Sequence, residues 1–176
     1  HTDRFLLRQI LAEDQAFIFQ GLSDPLVIPY YGVQYSSFEA TAAQMDFYNQ
    51  LWAEKKGCWW KIVERSTMLP VGACGMNAYQ PLHEKAEIGY WLLPGAWKKG
   101  IMAEVLPVMI RYIFQNWKIH RLEAVIEEGN ESSRRLSEKL GFSFEGKLRE
   151  SEIKQGKRIS LLIYSLLSTD LADNNR

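Results

Sequence analysis

The stretch WLLPGAWKKGIMAEVL, from Trp91 to Leu106, constrains the fold more than any other part of this 176-residue chain. A strand-like run ends at Pro94, a short turn carries Lys98, Lys99 and Gly100, and an apolar pattern of helical period begins. Further on, HRLEAVIEE reads as another strand. A strand, a helix and a strand in that order predict a right-handed crossover between parallel neighbours. The chain is therefore expected to build a mixed α/β sheet, with a loop–helix junction at the end of a central strand.

A loop that opens a helix presents backbone N–H groups with no helical acceptor, at the positive end of the helix dipole. Such a junction suits phosphate. Gly100 allows the backbone to approach an anion closely, and the two lysines add charge. The chain contains neither GxxxxGK[ST], for a nucleoside triphosphate, nor GxGxxG, for a dinucleotide. On these residues alone a strand–helix turn with solvated lysines fits as well. The 21 basic and 21 acidic residues cancel, so no global field gathers nucleic acid or an anionic membrane. Any anion site has to be local.

The remaining pattern fills in one domain, residues 1–176, with 47% hydrophobic residues to supply its core. RFLLRQI reads as a first strand and LAEDQAFIFQGLSD as a helix ending near Asp24-Pro25. A second helix is expected over SSFEATAAQMDFYNQLWAEKKG, capped by Ser36 or Ser37 and stopped by Gly57. Three strands follow: CWWKIVER, LPVGACGMNAY and EKAEIGYWLL. In the third, Ile88, Tyr90 and Leu92 share one face, while Glu87, Gly89 and Trp91 share the other. The helix from Gly100 to about Trp117 buries Ile101, Val105, Leu106, Met109, Ile110, Ile113 and Phe114, with a kink or disturbance expected at Pro107. SSRRLSEKL is a short helix closed by Gly141, and FSFEGKLRESEI and KRISLLIYSLL are a final pair of strands.

Cys58 and Cys74 fit no metal-ligand spacing, and His1, His83 and His120 are widely separated, so no metal is expected. Two free thiols and the lack of a secretory h-region in HTDRFLLRQ point to the cytoplasm. No stretch approaches a transmembrane helix, so no membrane partner is expected.

GYWLLPGAWKKGIMAEVL, followed by HRLEAVIEEGNESSRRLSEKLGFSFEGKLRE, resembles the acetyl-CoA-binding region of the GNAT acetyltransferase superfamily, and more narrowly its RimJ/RimL branch. RFLLRQILAEDQAFIFQGLSDP is similar to the opening of that branch, so the resemblance covers nearly the whole chain. It implies a GNAT-like α/β fold: a mixed, mostly antiparallel sheet with helices on both faces and a splayed parallel pair, here Ala86–Leu93 and Arg121–Glu127. It further implies pantetheine in the wedge, bonded to main chain around Trp91, Leu92 and Leu93, with Asn130 contacting the pantetheine arm. The pyrophosphate is then expected on the amides of Lys98, Lys99, Gly100, Ile101, Met102 and Ala103. The turn departs from the superfamily pattern at three places: Trp97 replaces Gln or Arg, Lys98 a frequent glycine, and Met102 a small residue.

Acetyl transfer needs a neutral amine, a polarised thioester carbonyl and a proton for the leaving thiolate. An α-amine with a pKa of about 7.7–8.0 is roughly one-tenth neutral at pH 7, whereas a lysine amine near 10.4 is neutral about once in several thousand molecules. An N-terminal acceptor thus needs only a modest base. The resemblance implies two candidates, Glu152 and Glu87, each equally readable as a solvated strand glutamate. A strand N–H near Leu92 or Leu93 is a one-donor oxyanion site. Many relatives place a tyrosine four residues before the Gly-Phe pair, where this chain has Ser137; the RimL-like alternative is a serine at the head of the late helix, matched by Ser133, which is also an ordinary helix-start residue. Ser133 is accordingly both a candidate acid and a candidate cofactor contact.

On the acceptor side, Tyr30, Tyr31 and Tyr35 either line a peptide cleft or pack at the edge of the core. The expected reaction is acetyl-CoA-dependent N-acetylation of a primary amine, most simply a ribosomal or other protein N-terminus, by a monomer or homodimer without nucleic acid. The open alternatives are a small amine (polyamine, drug or amino acid) or a GNAT-fold protein that binds CoA without turnover. A basic acceptor would favour an acidic cleft, for which Glu13, Asp14, Glu84 and Glu87 are the candidates.

Overall fold

The computed structural model describes residues 1–173. Its strands are β1 (Phe5–Gln9), β2 (Cys58–Glu64), β3 (Pro70–Gln80), β4 (Lys85–Leu92), β5 (Arg121–Glu127), β6 (Ser143–Lys154) and β7 (Lys157–Leu167). The helices are α1 (Gln15–Leu22), α2 (Ala42–Ala53), α3 (Ile101–Asn116), α4 (Glu131–Lys139) and α5 (Ser168–Asp173). All seven strands join one sheet in the order β1-β2-β3-β4-β5-β7-β6. Among the described residues only β4 and β5 are parallel, and α3 connects them. The fold is the mixed, mostly antiparallel sheet that the sequence implies.

Two apolar layers form because alternate strand residues point to opposite faces. One face carries Trp60, Ile62, Cys74, Met76, Ile88 and Leu122 and packs on the Val105, Leu106, Met109, Ile110 and Ile113 stripe of α3. The other carries Trp59, Ala73 and Trp91 and packs on Phe17, Ile18 and Leu22 of α1 and Met45, Tyr48 and Leu51 of α2. Close packing there requires glycine: a Cβ on Gly21 would lie 2.2 Å from the Trp91 ring. In β4 the expected alternation holds, with Tyr90 and Leu92 on the α3 side and Trp91 on the α1/α2 side.

Several local expectations are corrected. The first helical segment begins as a single 3-10 turn, Ala12–Asp14, whose Asp14 carboxylate accepts the Leu11 N–H at 2.9 Å. The second starts later than expected: Ser37 accepts the Ala40 N–H at 3.1 Å and so caps a 3-10 turn, Glu39–Thr41, ahead of α2. It also ends before Gly57, because Lys55 takes φ 53° and the Lys56 N–H turns back to the Leu51 carbonyl at 2.9 Å, closing the helix in a left-handed cap. α3 runs through Pro107, and Phe114 is half-buried rather than fully inside. α5 was not expected from the sequence.

The buried carboxylate of Asp14 forms an ion pair with Lys61 on β2, fixing the entry to α1 against the sheet. Removing one partner leaves the other charge buried and unmatched. Asp14→Ala is expected to lower stability by about 3–5 kcal/mol in urea unfolding; a loss below about 1 kcal/mol, the range of exposed pairs, would contradict the buried pairing.

Candidate functional site

β4 and β5 pair only at Lys85–Arg121, Ala86–Leu122 and Glu87–Glu123, and then part. Beyond that point Ile88–Leu92 and Ala124–Glu127 have no ladder partner across the gap. The register of β3 against β4 shifts between Asn77 and Gln80, beside the last paired positions. Such bulges increase local twist, which favours the parting of neighbouring strands. Backbone groups facing the gap are left for water or a ligand.

Two cavities meet at this wedge. The first, about 460 Å³, is bounded by Tyr31, Tyr35, Phe47, Trp59, Glu87 and Gly89. The second, about 560 Å³, runs along Trp91, Leu92, Trp97, Lys98, Met102 and Gly129. They share Tyr30, Tyr31, Tyr90, Asn130 and Ser133. The first cavity takes Glu87 and Gly89 from one face of β4 and Ile88 and Tyr90 from the other, as a gap between strands allows.

At the far end of the second cavity, one 3-10 turn (Pro94–Ala96) leads from β4 to α3. The Trp97 indole donates to the Leu92 carbonyl at 2.9 Å and holds this turn against the strand it leaves. Lys98 and Gly100 take φ 59° and 72°, a left-handed geometry that glycine adopts freely and lysine does not. The first helical bond is Glu104 N–H to the Gly100 carbonyl at 3.2 Å. Among the described residues, the N–H groups from Lys98 to Ala103 meet no acceptor. A Cβ at Gly100 would meet nothing within 4 Å, so the approach to these amides is open. Arg4 holds the turn from behind, donating to the Lys99 carbonyl at 3.3 Å and pairing with Glu104 at 2.6 Å. Buried Met102 lines the cavity. The Leu93 N–H is bonded to the Val71 carbonyl at 2.9 Å and cannot also serve as an oxyanion donor.

Asn130 and Ser133 come together because Asn130 caps α4, accepting the Ser133 N–H on its side-chain oxygen at 3.2 Å. Ser133 is half-buried and Ser137, one turn on, is buried. Facing them is Tyr90, to which the sequence reading gave no role. Burial pushes its phenol pKa up, while the nearby hydroxyls of Ser133 and Ser137 oppose the rise. The usable signal was its position: a tyrosine between Ile88 and Leu92 on a strand face turned towards the core.

Of the two carboxylates, Glu87 is half-buried in the first cavity, and Glu152 is exposed on β6, outside both linings. They are nonetheless coupled. Burial raises the Glu87 pKa above the ordinary glutamate range, and the charges of Glu123 and then Glu152 raise it further. Glu123 is matched by Lys85 and Arg121, whereas Glu87 has no ion-pair partner among the described residues. The other acidic candidates do not converge on the cavities. Asp14 pairs with Lys61 and Glu84 with Lys118, and neither they nor Glu13 line either space. Arg134 pairs with Glu131 and Glu138 as part of a solvated helix face.

The aromatic segment both packs and lines. Tyr31 and Tyr35 lean on the α1/α2 core, yet Tyr30 and Tyr31 stand at the meeting of the two cavities. Sequence reasoning also missed Lys154, whose ammonium bridges Glu127 of β5, at 2.5 Å, and the Pro29 carbonyl. The β6–β7 hairpin is thereby tied to the loop that carries the tyrosines.

Comparison with known proteins adds a lineage to this geometry. The acetyltransferase (GNAT) domain family matches residues 4–143. An uncharacterized N-acetyltransferase of Bacillus subtilis, YoaA, is 35% identical over 167 residues, covering 94% of each chain. Two solved structures share the fold. One is the Salmonella typhimurium acetyltransferase that modifies the N-terminal serine of ribosomal protein L7/L12 (TM-score 0.86, 20% identity, covering 94% of this chain and 96% of that one). The other is the Vibrio cholerae spermidine N-acetyltransferase in complex with CoA and spermine (TM-score 0.85, 19% identity, 96% and 98%).

Lys154→Met removes the tie between the hairpin and the tyrosine loop. Hydrogen bonds to charged groups contribute roughly 1.5–3 kcal/mol, so amide exchange across residues 26–35 is expected to accelerate about tenfold or more. Unchanged exchange in that loop would show that the aromatic packing alone holds it.

Proposed function

The chain belongs to the GNAT acetyltransferase family and is an N-acetyltransferase of that type, and we propose that it transfers the acetyl group of acetyl-CoA directly to the α-amine of a protein N-terminus. The observation that carries this reading is the wedge itself, with open amides at one end and an unpaired carboxylate at the other. CoA fits the residues present. Six successive N–H groups without acceptors, Lys98 to Ala103, suit a pyrophosphate at a helix N-terminus. The unladdered edge of β4 suits the amide groups of a pantetheine arm, with Trp91, Leu92 and Asn130 along its course; Leu93, expected there too, packs on the α1/α2 core with its N–H bonded to Val71. Bound there, acetyl-CoA supplies an activated acyl group.

The protein's own residues prepare the acceptor. Glu87 is the proton acceptor in this reading: its ionised form is a stronger base than an ordinary glutamate because burial and neighbouring charges raise its pKa. Glu152 acts on it through space and tunes its strength. Tyr30, Tyr31 and Tyr35 line the first cavity, through which the amine would approach. Fold likeness to an enzyme acting on an N-terminal serine is in keeping with this choice. A polyamine is the second reading, favoured by the unpaired Glu87 carboxylate in the first cavity and by the negative charges of Glu123 and Glu152 that act on it. Comparing kcat/KM for a serine-initiated peptide with a free α-amine against spermidine separates the two; preference for spermidine would overturn the N-terminal assignment.

Gly100→Glu places a carboxylate among the open amides, and its left-handed φ also disfavours any side chain. Calorimetric titration of acetyl-CoA should show binding to the wild type and none to the folded variant. Equal affinity in both would remove the pyrophosphate from this turn.

A base acts only when unprotonated, so kcat/KM should rise with pH through the elevated Glu87 pKa. Glu152→Gln removes one of the negative charges that raise it, and the rise should move to lower pH. Loss of the pH dependence in Glu152→Gln, with retention in Glu87→Gln, would make Glu152 the base instead.

A further inference from the structure

Tyr90 occupies a position that the proposed chemistry has left without a task. It lines both cavities, together with Ser133 and Asn130, and so stands where a thioester arriving along one would meet an amine arriving along the other. The other phenols near that junction are placed differently. The exposed Tyr30 holds its hydroxyl over Gly129, 3.5 Å from where a Cβ on that residue would lie. The Tyr31 ring packs against the α1/α2 core, and Tyr35 donates to the Gln44 side chain at 3.0 Å. Tyr90 instead faces the hydroxyls of Ser133 and Ser137, on one side of α4 because they are four residues apart. Asn130 fixes the first turn of that helix and with it the position of Ser133.

We propose that Tyr90 is a catalytic residue of this enzyme, its phenol donating a hydrogen bond to the sulfur of departing CoA where the two cavities meet beside Ser133. The inference rests on the acetyl-CoA reading given above. As the amine nitrogen bonds to the acetyl carbon, the carbon–sulfur bond breaks and its electron pair passes to sulfur. The phenol keeps its proton and holds that sulfur by a hydrogen bond as charge builds there, and the departing thiolate takes a proton from water. The proton released by the amine goes to Glu87 and is then exchanged with water. A phenol is a far better proton source than the aliphatic hydroxyl of Ser133. Its elevated pKa keeps it protonated throughout the neutral range, so the donor form is always present. A thiol near pKa 8.5 is a stronger acid than a phenol near 10, so the phenol contributes most as a hydrogen bond to sulfur while negative charge builds there.

The test needs no knowledge of the natural acceptor. CoA bound to the wild type, to Tyr90→Phe and to Ser133→Ala is titrated with pH while thiolate absorbance is followed. Loss of the phenol's hydrogen bond to the charged sulfur should weaken ionisation of the bound thiol about tenfold or more. The isosteric Tyr90→Phe protein should retain its urea midpoint and its affinity for CoA. With spermidine or the serine-initiated peptide as acceptor, kcat should fall roughly 10²-fold at unchanged KM for acetyl-CoA. Identical thiol titration in wild type and Tyr90→Phe would overturn the assignment, as would a loss confined to Ser133→Ala. A wild type that binds no CoA would overturn the donor reading itself, and this inference with it.

Discussion

The parting of β4 from β5 after Glu87 is the constraint on which the site depends. A parallel pair normally continues its ladder, and here the pairing lasts three residues. Neither strand is loose: β4 remains bonded to β3, and β5 to β7 along its length. The gap is therefore held open from both sides by antiparallel neighbours and spanned behind by α3. A slot of this kind presents backbone groups in fixed positions without asking any loop to order itself, which suits precise positioning of a substrate.

Charge is distributed along that slot with a clear sense, although the chain as a whole is neutral. At one end lie open amides, a helix N-terminus and two lysines; at the other lie Glu87 and the carboxylates that act on it. In the proposed reading an anionic donor and an amine acceptor are directed to opposite ends and meet beside Tyr90 and Ser133. The left-handed backbone at Lys98 belongs to the same arrangement. Non-glycine residues in that region cost about 1–3 kcal/mol, and such strain is commonly concentrated at binding sites.

Much of this was legible in the sequence, for local reasons. Pro94, Gly100 and the periodicity after it mark the strand–helix junction, and alternation in EIGYWLL assigns the two faces of β4 correctly. The seven strands and the parallel neighbours follow from the order of elements. What escaped depends on contacts distant in sequence. The coupling of Glu152 to Glu87 requires β6 to lie beyond β5 and β7, and the bridge from Lys154 to Pro29 joins residues 125 positions apart. Tyr90 was placed on the right face but given no task, because its meaning comes from two serines on a helix whose docking angle no periodicity encodes. The early stop of α2 was hidden for a different reason: a lysine took the left-handed position usually filled by glycine.

The central claim is that the open amides of the turn and the unladdered edge of β4 receive one ligand together. Residue-resolved amide exchange with and without CoA tests it most directly. The account predicts that CoA slows exchange of the amides from Lys98 to Ala103 and of unpaired β4 amides beyond Glu87, in one concerted step. Protection confined to the turn, or appearing elsewhere on the sheet, would contradict it.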